Sequence, residues 1–235
     1  MSKRAFPLVL LICLASFAGC LESEDNAVTE GEDHDILKIL ALHGGGDTPE
    51  GLRSQPGMQS LISDLPEYEF FFADAPNHES MCEQCWYGDP PNGKGEPTVD
   101  RDWADISIAY LDQIVNDHGP FHGILGYSQG CPMATVYIAN SETTFEKTIL
   151  FNGYLPTTHS GLNDTINEAA PLGNKTLIFG GNNDQFLFGV DELAGVYHEP
   201  VILISSTADH HLPLSDDETY QDIISFFRDG TSTGN

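Results

Sequence analysis

The chain has 235 residues, 40% of them hydrophobic, enough to bury one sizeable core and to fit a single α/β domain. Thirty-six acidic residues against nine basic ones give a formal net charge of −27. That excludes a nucleic-acid partner, which needs a basic face, and disfavours a polyanionic membrane surface; the acidity reads as a well-solvated exterior rather than a selector for cationic substrates.

Lys3 and Arg4 precede an apolar run, Ala5–Ala18, that is too short for a comfortable membrane span. A basic start, a short apolar stretch and small residues at its end predict a secretory signal peptide over residues 1–19. Ser16-Phe17-Ala18 suits an ordinary cleavage site, whereas Phe17-Ala18-Gly19-Cys20 resembles a lipoprotein signal in which Cys20 would carry a lipid anchor to the membrane. Plain secretion is the favoured reading, and on either one the mature chain works outside the cytosol. Residues 20–35 are acidic and aperiodic, a disordered tether; residues 36–229 form the folded domain and 230–235 a disordered tail. No membrane-spanning segment is expected in the mature chain.

A rhythm then begins. Short apolar runs at Ile36–Leu42, Phe70–Ala75, Gly123–Gly126, Thr148–Phe151, Thr176–Phe179 and Val201–Ile204 predict strands buried on both faces. Helical spacing appears between them at Gly57–Leu65, Trp103–Val115, Gly130–Ala139, Val190–Val196 and Asp216–Phe227. In the second of these, Trp103, Ile106, Tyr110, Leu111 and Ile114 form the apolar stripe. Strand–helix alternation predicts a doubly wound, mostly parallel sheet of about six strands flanked by helices, in a single domain. One segment breaks the rhythm, the Pro- and Gly-rich Pro76–Asp100, a length of loop that is usually functional or disordered. Within it, Cys82 and Cys85 form a Cys-x-x-Cys; with no second such pair to complete a zinc site, a local disulfide is expected and no metal. Asn163-Asp164-Thr165 and Asn174-Lys175-Thr176 are glycosylation sequons that matter only in a eukaryotic secretory route.

"GILGYSQGC", Gly123–Cys131, holds Ser128 between Gly126 and Gly130 at the point where a strand gives way to a helix. A serine on so sharp a turn is thrust above the sheet edge, and residues two before and two after must be small because strand and helix nearly touch. Cys131 reads as a packing residue. A serine hydroxyl needs a base, and the base an orienting carboxylate. Asp184 lies beyond the strand Thr176–Phe179, and His210 and His211 lie beyond Val201–Ile204, so all three loops empty onto the C-terminal edge of the sheet. The glycine-rich turn after the first strand, in "LALHGGGDTPEG", supplies backbone donors for an oxyanion: Gly45 is the first choice, paired with Gln129 after the serine. The turn lacks the Gly-x-Gly-x-x-Gly spacing of a dinucleotide cradle.

At these residues the chain, from about Ile36 to Arg228, resembles the FSH family (family of serine hydrolases) of the α/β-hydrolase superfamily. The matching stretches are "LALHGGGDTPEGLRSQPG", "FFFADAP", "GYSQG", "GGNNDQ" and "HHLP". The resemblance implies Ser128 as nucleophile, Asp184 as acid and His210 as base, because the family's His-x-x-Pro falls on His210–Pro213. Asp209 stands where the family usually has glycine, Gln185-Phe186-Leu187 replace a common Val-Val-Pro type, and Asn152-Gly153 replace Ser-Gly; these departures bear on substrate scope. Acyl-protein thioesterases and related carboxylesterases share similar motifs and the same chemistry. The expectation is therefore a hydrolase of carboxylic esters or thioesters of small or acyl-chain substrates, needing no cofactor. Trp86, Tyr87, Phe151, Tyr154, Leu155 and Phe186 are candidates to line an acyl pocket. The competing expectation is a catalytically inactive binding protein on the same fold.

Overall fold

The computed structural model describes residues 36–77 and 82–230. The expected signal peptide, the acidic tether, the Cys20 anchor and residues 231–235 of the expected tail lie outside the described residues.

Thirteen elements follow in chain order: β1 (Leu37–Leu42), α1 (Pro49–Ser54), α2 (Pro56–Asp64), β2 (Tyr68–Ala73), α3 (Asp105–His118), β3 (Gly123–Tyr127), α4 (Gly130–Asn140), β4 (Lys147–Phe151), α5 (Ser160–Ala169), β5 (Lys175–Gly181), α6 (Gly189–Ala194), β6 (Val201–Ser205) and α7 (Tyr220–Arg228). The strands form one six-stranded sheet in the order β2-β1-β3-β4-β5-β6, parallel at every pairing. Alternation along β1 shows why helices cover both faces. Leu40 and Leu42 join a cluster with Leu111 of α3, Met133 of α4, Leu162 of α5 and Leu193 of α6. Ile39 and Ala41 join the opposite cluster, with Leu52 of α1, Leu61 of α2 and Phe227 of α7. Every residue of β3 and β4 is buried, which explains their continuous apolar runs.

The chain leaves β1 for β2 on one side and returns to β3 on the other, so the C-terminal ends of β1 and β3 lie side by side, Leu42 beside Gly126. Such a reversal of winding is the usual ligand position in open α/β sheets.

The expected strands are all present, with ends shifted by one to two residues. Two helices are additional. α1 starts at Thr48, whose hydroxyl accepts the Gly51 N–H, and at Pro49. α5 is a second, and its apolar face is carried by Leu162 and Ile166 alone. α3 begins at Asp105, after Trp103, and its buried stripe runs through Ser107, Leu111 and Ile114 while Ile106 is exposed. α7 begins at Tyr220 rather than Asp216. Cys82 and Cys85 are joined as a disulfide, with Cα atoms 5.4 Å apart. Both sequon asparagines are half-buried, and Asn174 Nδ2 donates to the Phe145 carbonyl at 2.6 Å. Among the described residues no helix is long and apolar enough to cross a membrane.

Candidate active site

The turn between β3 and α4 carries Ser128 at φ 51°, in the left-handed region that a non-glycine residue seldom adopts. Local sequence makes this turn tight. A Cβ on Gly126 would sit 2.6 Å from the Gly130 carbonyl oxygen, and one on Gly130 would run into the carbonyl of Leu42. The Ser128 N–H donates to the Phe151 carbonyl at 3.0 Å, and the Cys131 N–H closes the turn onto the Ser128 carbonyl at 3.0 Å. The Cys131 thiol is buried, its pKa raised by that burial, and its Sγ packs against the Gly126 and Phe151 carbonyls. It is a packing group, as its place suggests.

Asp184, 6% exposed, follows β5. Its Oδ1 accepts the Phe186 N–H at 2.9 Å, and its Oδ2 lies 2.8 Å from Nδ1 of His210. Nε2 of the same imidazole lies 2.9 Å from Ser128 Oγ. A carboxylate on Nδ1 fixes the proton there and leaves the Nε2 lone pair facing the hydroxyl, the geometry in which an imidazole can take an alcohol's proton.

Distant segments set the position of His210. Tyr127 Oη donates to the His210 carbonyl at 2.8 Å, and burial lifts the Tyr127 phenol to about 12. Asn152 Nδ2 donates to the His211 carbonyl at 2.8 Å, while Asn152 Oδ1 accepts the Gly181 N–H at 3.0 Å. The Leu212 N–H donates to Gln55 Oε1 at 3.2 Å, and Gly57 has no room for a Cβ against the Leu212 and Pro213 carbonyls. The "RSQPG" stretch thus cradles "HHLP". His211 turns its Nδ1 to the Leu212 carbonyl, so His210 alone of the pair meets Ser128.

The glycine turn lies against the serine: a Cβ on Gly44 would be 3.1 Å from Ser128 Cβ. His43, fully buried, donates from Nδ1 to the Gly44 carbonyl at 2.7 Å and accepts the Ala75 N–H on Nε2 at 3.1 Å. Gly46, at φ 74°, donates its N–H to the Gln84 carbonyl at 2.9 Å. The N–H groups of Gly45 and Gln129 donate to no acceptor among the described residues. The Gln129 side chain is engaged: Oε1 accepts the Trp86 N–H and Nε2 donates to the Tyr87 carbonyl, each at 3.1 Å.

Trp86 and Tyr87, 0% and 4% exposed, lie in the core cluster, and their polar groups brace the turn. Phe151 and Leu155 are buried likewise, Phe151 because it ends the central strand β4. Tyr154 and Phe186 are half-buried and stack with centroids 4.9 Å apart, and the Phe186 ring lies 5.1 Å from that of His210. Phe188, more than half exposed and 6.2 Å from Phe186, extends this aromatic shelf. Sequence reasoning missed Phe188, although its spacing from Phe186 was a usable signal. It also missed the side-chain roles of Tyr127, Gln129 and His43, for which no local pattern exists.

Known proteins agree with this architecture. The esterase PE8 crystal structure superposes with a TM-score of 0.60 over 82% of this chain and 92% of its own, at 17% identity, which shows a shared α/β-hydrolase fold. The esterase FUS5 of Gibberella fujikuroi is 26% identical over 198 residues, 77% of this chain and 82% of the relative. The Caenorhabditis elegans esterase C25G4.2 is 25% identical over 136 residues, 51% of this chain and 60% of its own length. A family model described as serine hydrolase (FSH1) matches residues 34–222, and the chain belongs to that family.

Proposed function

We propose that this protein hydrolyses carboxylic esters or thioesters of small or acyl-chain substrates through an acyl-enzyme on Ser128. The observation that carries the reading is the continuous hydrogen-bonded series from Asp184 Oδ2 through His210 to Ser128 Oγ, 2.8 and 2.9 Å. His210 takes the Ser128 proton as Oγ attacks the acyl carbon, and Asp184 holds the tautomer and stabilises the imidazolium. The amides of Gly45 and Gln129, which donate to no acceptor among the described residues, are the donors for the developing oxyanion, and each such donor typically contributes ~3 kcal/mol to the transition state. His210 then returns the proton to the leaving alcohol or thiol, and water releases the acid by the same route. Tyr154, Phe186 and Phe188 offer the substrate an apolar shelf beside the imidazole. The Cys82–Cys85 bridge supports a working place outside the reducing cytosol.

A fluorophosphonate probe tests this directly. Wild type is expected to label and Ser128→Ala not to, and a chain-length panel of esters then ranks the acyl group. Folded protein that fails to label anywhere from about pH 6 to 9, the range in which a neutral histidine base works, would leave the inactive binding protein as the reading.

A further inference from the structure

Three consecutive glycines do not hold an amide in place by themselves, yet oxyanion stabilisation requires donors fixed before the reaction. We propose that the disulfide loop Cys82–Cys85 and Trp86 are positioning groups that brace the oxyanion hole; this rests on the serine-hydrolase reading above.

One loop reaches both halves of the hole. The Gly46 N–H is held by the carbonyl of Gln84, which lies inside the small ring closed by the Cys82–Cys85 bridge and the Cys85 N–H to Cys82 carbonyl bond of 3.3 Å. Gln84 itself sits at φ 58°, a left-handed conformation that costs a non-glycine residue ~1 kcal/mol and that an open chain is free to leave. Immediately after the bridge, Trp86 Nε1 donates to the His43 carbonyl at 2.8 Å, and its ring lies 5.2 Å from that of His43. The Trp86 N–H goes to Gln129 Oε1, and its carbonyl accepts from Ser107 Oγ. Every polar group of Trp86 is therefore committed, one to each side of the hole and one to α3. Gln129 Oε1 in turn occupies the space where a Gly45 side chain would stand, 2.9 Å from such a Cβ. Opening the bridge frees Gln84, and with it the acceptor that orients the Gly44–Gly46 turn. Cys82 is exposed, so a reductant has access: a phosphine delivers two electrons, two protons complete two thiols, and the phosphine leaves as its oxide with oxygen from water.

The test compares oxidised wild type, phosphine-reduced wild type, Cys82→Ala/Cys85→Ala and Trp86→Phe, which keeps an aromatic ring at this buried position, though a smaller one, and loses Nε1–H. Loss of the brace is expected to speed amide exchange at residues 44–47 by about tenfold or more, with β3 and β4 unchanged. It should also lower kcat by about 10- to 100-fold while KM stays within about threefold, and weaken a boronic-acid inhibitor, whose tetrahedral adduct fills the hole, to the same extent. Reoxidation restores all three. Lys94→Ala, in the same Pro- and Gly-rich segment but outside the bridge and paired with Asp89, leaves kcat as it was. Unchanged exchange and kcat in the reduced protein overturn the brace alone. If the reduced and Cys-free forms lose cooperative folding, Trp86→Phe decides, and wild-type kcat in that variant is the overturning result. Oxidised wild type that neither labels nor hydrolyses any ester sinks the hydrolase reading, and the brace's role with it.

Discussion

Ser128 at φ 51° and Asn152 at φ 52° are two non-glycine residues in the left-handed region, the first the proposed nucleophile and the second bonded to the backbone next to His210. Such conformations persist only where surroundings over-determine them. Here the Phe151 carbonyl holds Ser128 N–H, and Gly181 and His211 hold the two ends of the Asn152 amide. Tyr127 is the most instructive single side chain. Its hydroxyl donates to the backbone carbonyl of His210, the proposed base, rather than to its ring, so Tyr127→Phe should leave the imidazole in place but less firmly held. One neutral hydrogen bond contributes ~1 kcal/mol, so kcat/KM is expected to fall by up to about fivefold and the melting temperature by about 2–4 °C. The two adjacent histidines separate far more sharply. His210→Ala should lose about ten-thousand-fold in kcat, whereas His211→Ala should stay within about tenfold, since its contact is with its own neighbour's carbonyl. Steady-state kinetics on one ester reads both, and the reverse ranking would move the base to residue 211.

Among the elements, α7 is capped at its C-terminal end by a residue of the central strand β4. Lys147 of β4, almost wholly buried, donates from Nζ to the Phe226, Phe227 and Asp229 carbonyls, and Tyr68 Oη also donates to Phe227. The final carbonyls of a helix have no partner within it, and Lys147 supplies three. Lys147→Met removes these donors while keeping the stem. It also removes the cost of burying a charge, so the net loss is smaller than three charged bonds imply, ~2 kcal/mol. For a chain of this size that is a fall of about 4–8 °C in melting temperature. Activity should persist, because Lys147 begins β4 whereas the site lies at the other end of the sheet. A scanning-calorimetry result equal to wild type would show that water caps α7 just as well.

For the whole molecule, the titratable groups set a pH dependence of definite sign. Burial foremost, then Lys175, pushes Lys147 down from 10.5 to about 8. Between about pH 8 and 10 the unfolded chain therefore binds the more protons, and stability contributed by this group rises with pH. Burial lifts Tyr68, Tyr127 and Tyr154 from 10.0 to about 12. Their stabilising effect is complete below pH 10 and lost as pH climbs towards 12, because the folded state then holds the more protons. Denaturation midpoints should rise to a maximum near pH 10 and fall beyond it. The net charge of −27 acts at the same scale through self-repulsion, which salt screens over ~10 Å at 0.1 M. Stability at pH 7 is expected to climb from low to molar salt, and a flat urea midpoint across that range would show the repulsion to be negligible.

The sequence by itself determined the α/β class, the six strands, the chain order of serine, aspartate and histidine, and the turn that carries Ser128. Those features are local: apolar runs, a strand-to-helix glycine pair and loops that end parallel strands all leave a mark within a few residues of one another. α5 escaped because only Leu162 and Ile166 carry its stripe, and α3 was misplaced at its start because Trp103 and Ile106 imitate a helical face while Ser107 is the residue buried. The choice of His210 over His211 rested on a motif in sequence; in the structure the His210 ring lies against Ser128 while the His211 ring turns to the Leu212 carbonyl. Only the tertiary structure decided what holds these groups in register: Gln55 on the Leu212 amide, Tyr127 on the His210 carbonyl, and Trp86 between His43 and Gln129. Such partners lie dozens to more than a hundred residues apart, and hydrogen bonds between distant segments have no period along the chain. They exist only once the sheet has brought its loops to one edge.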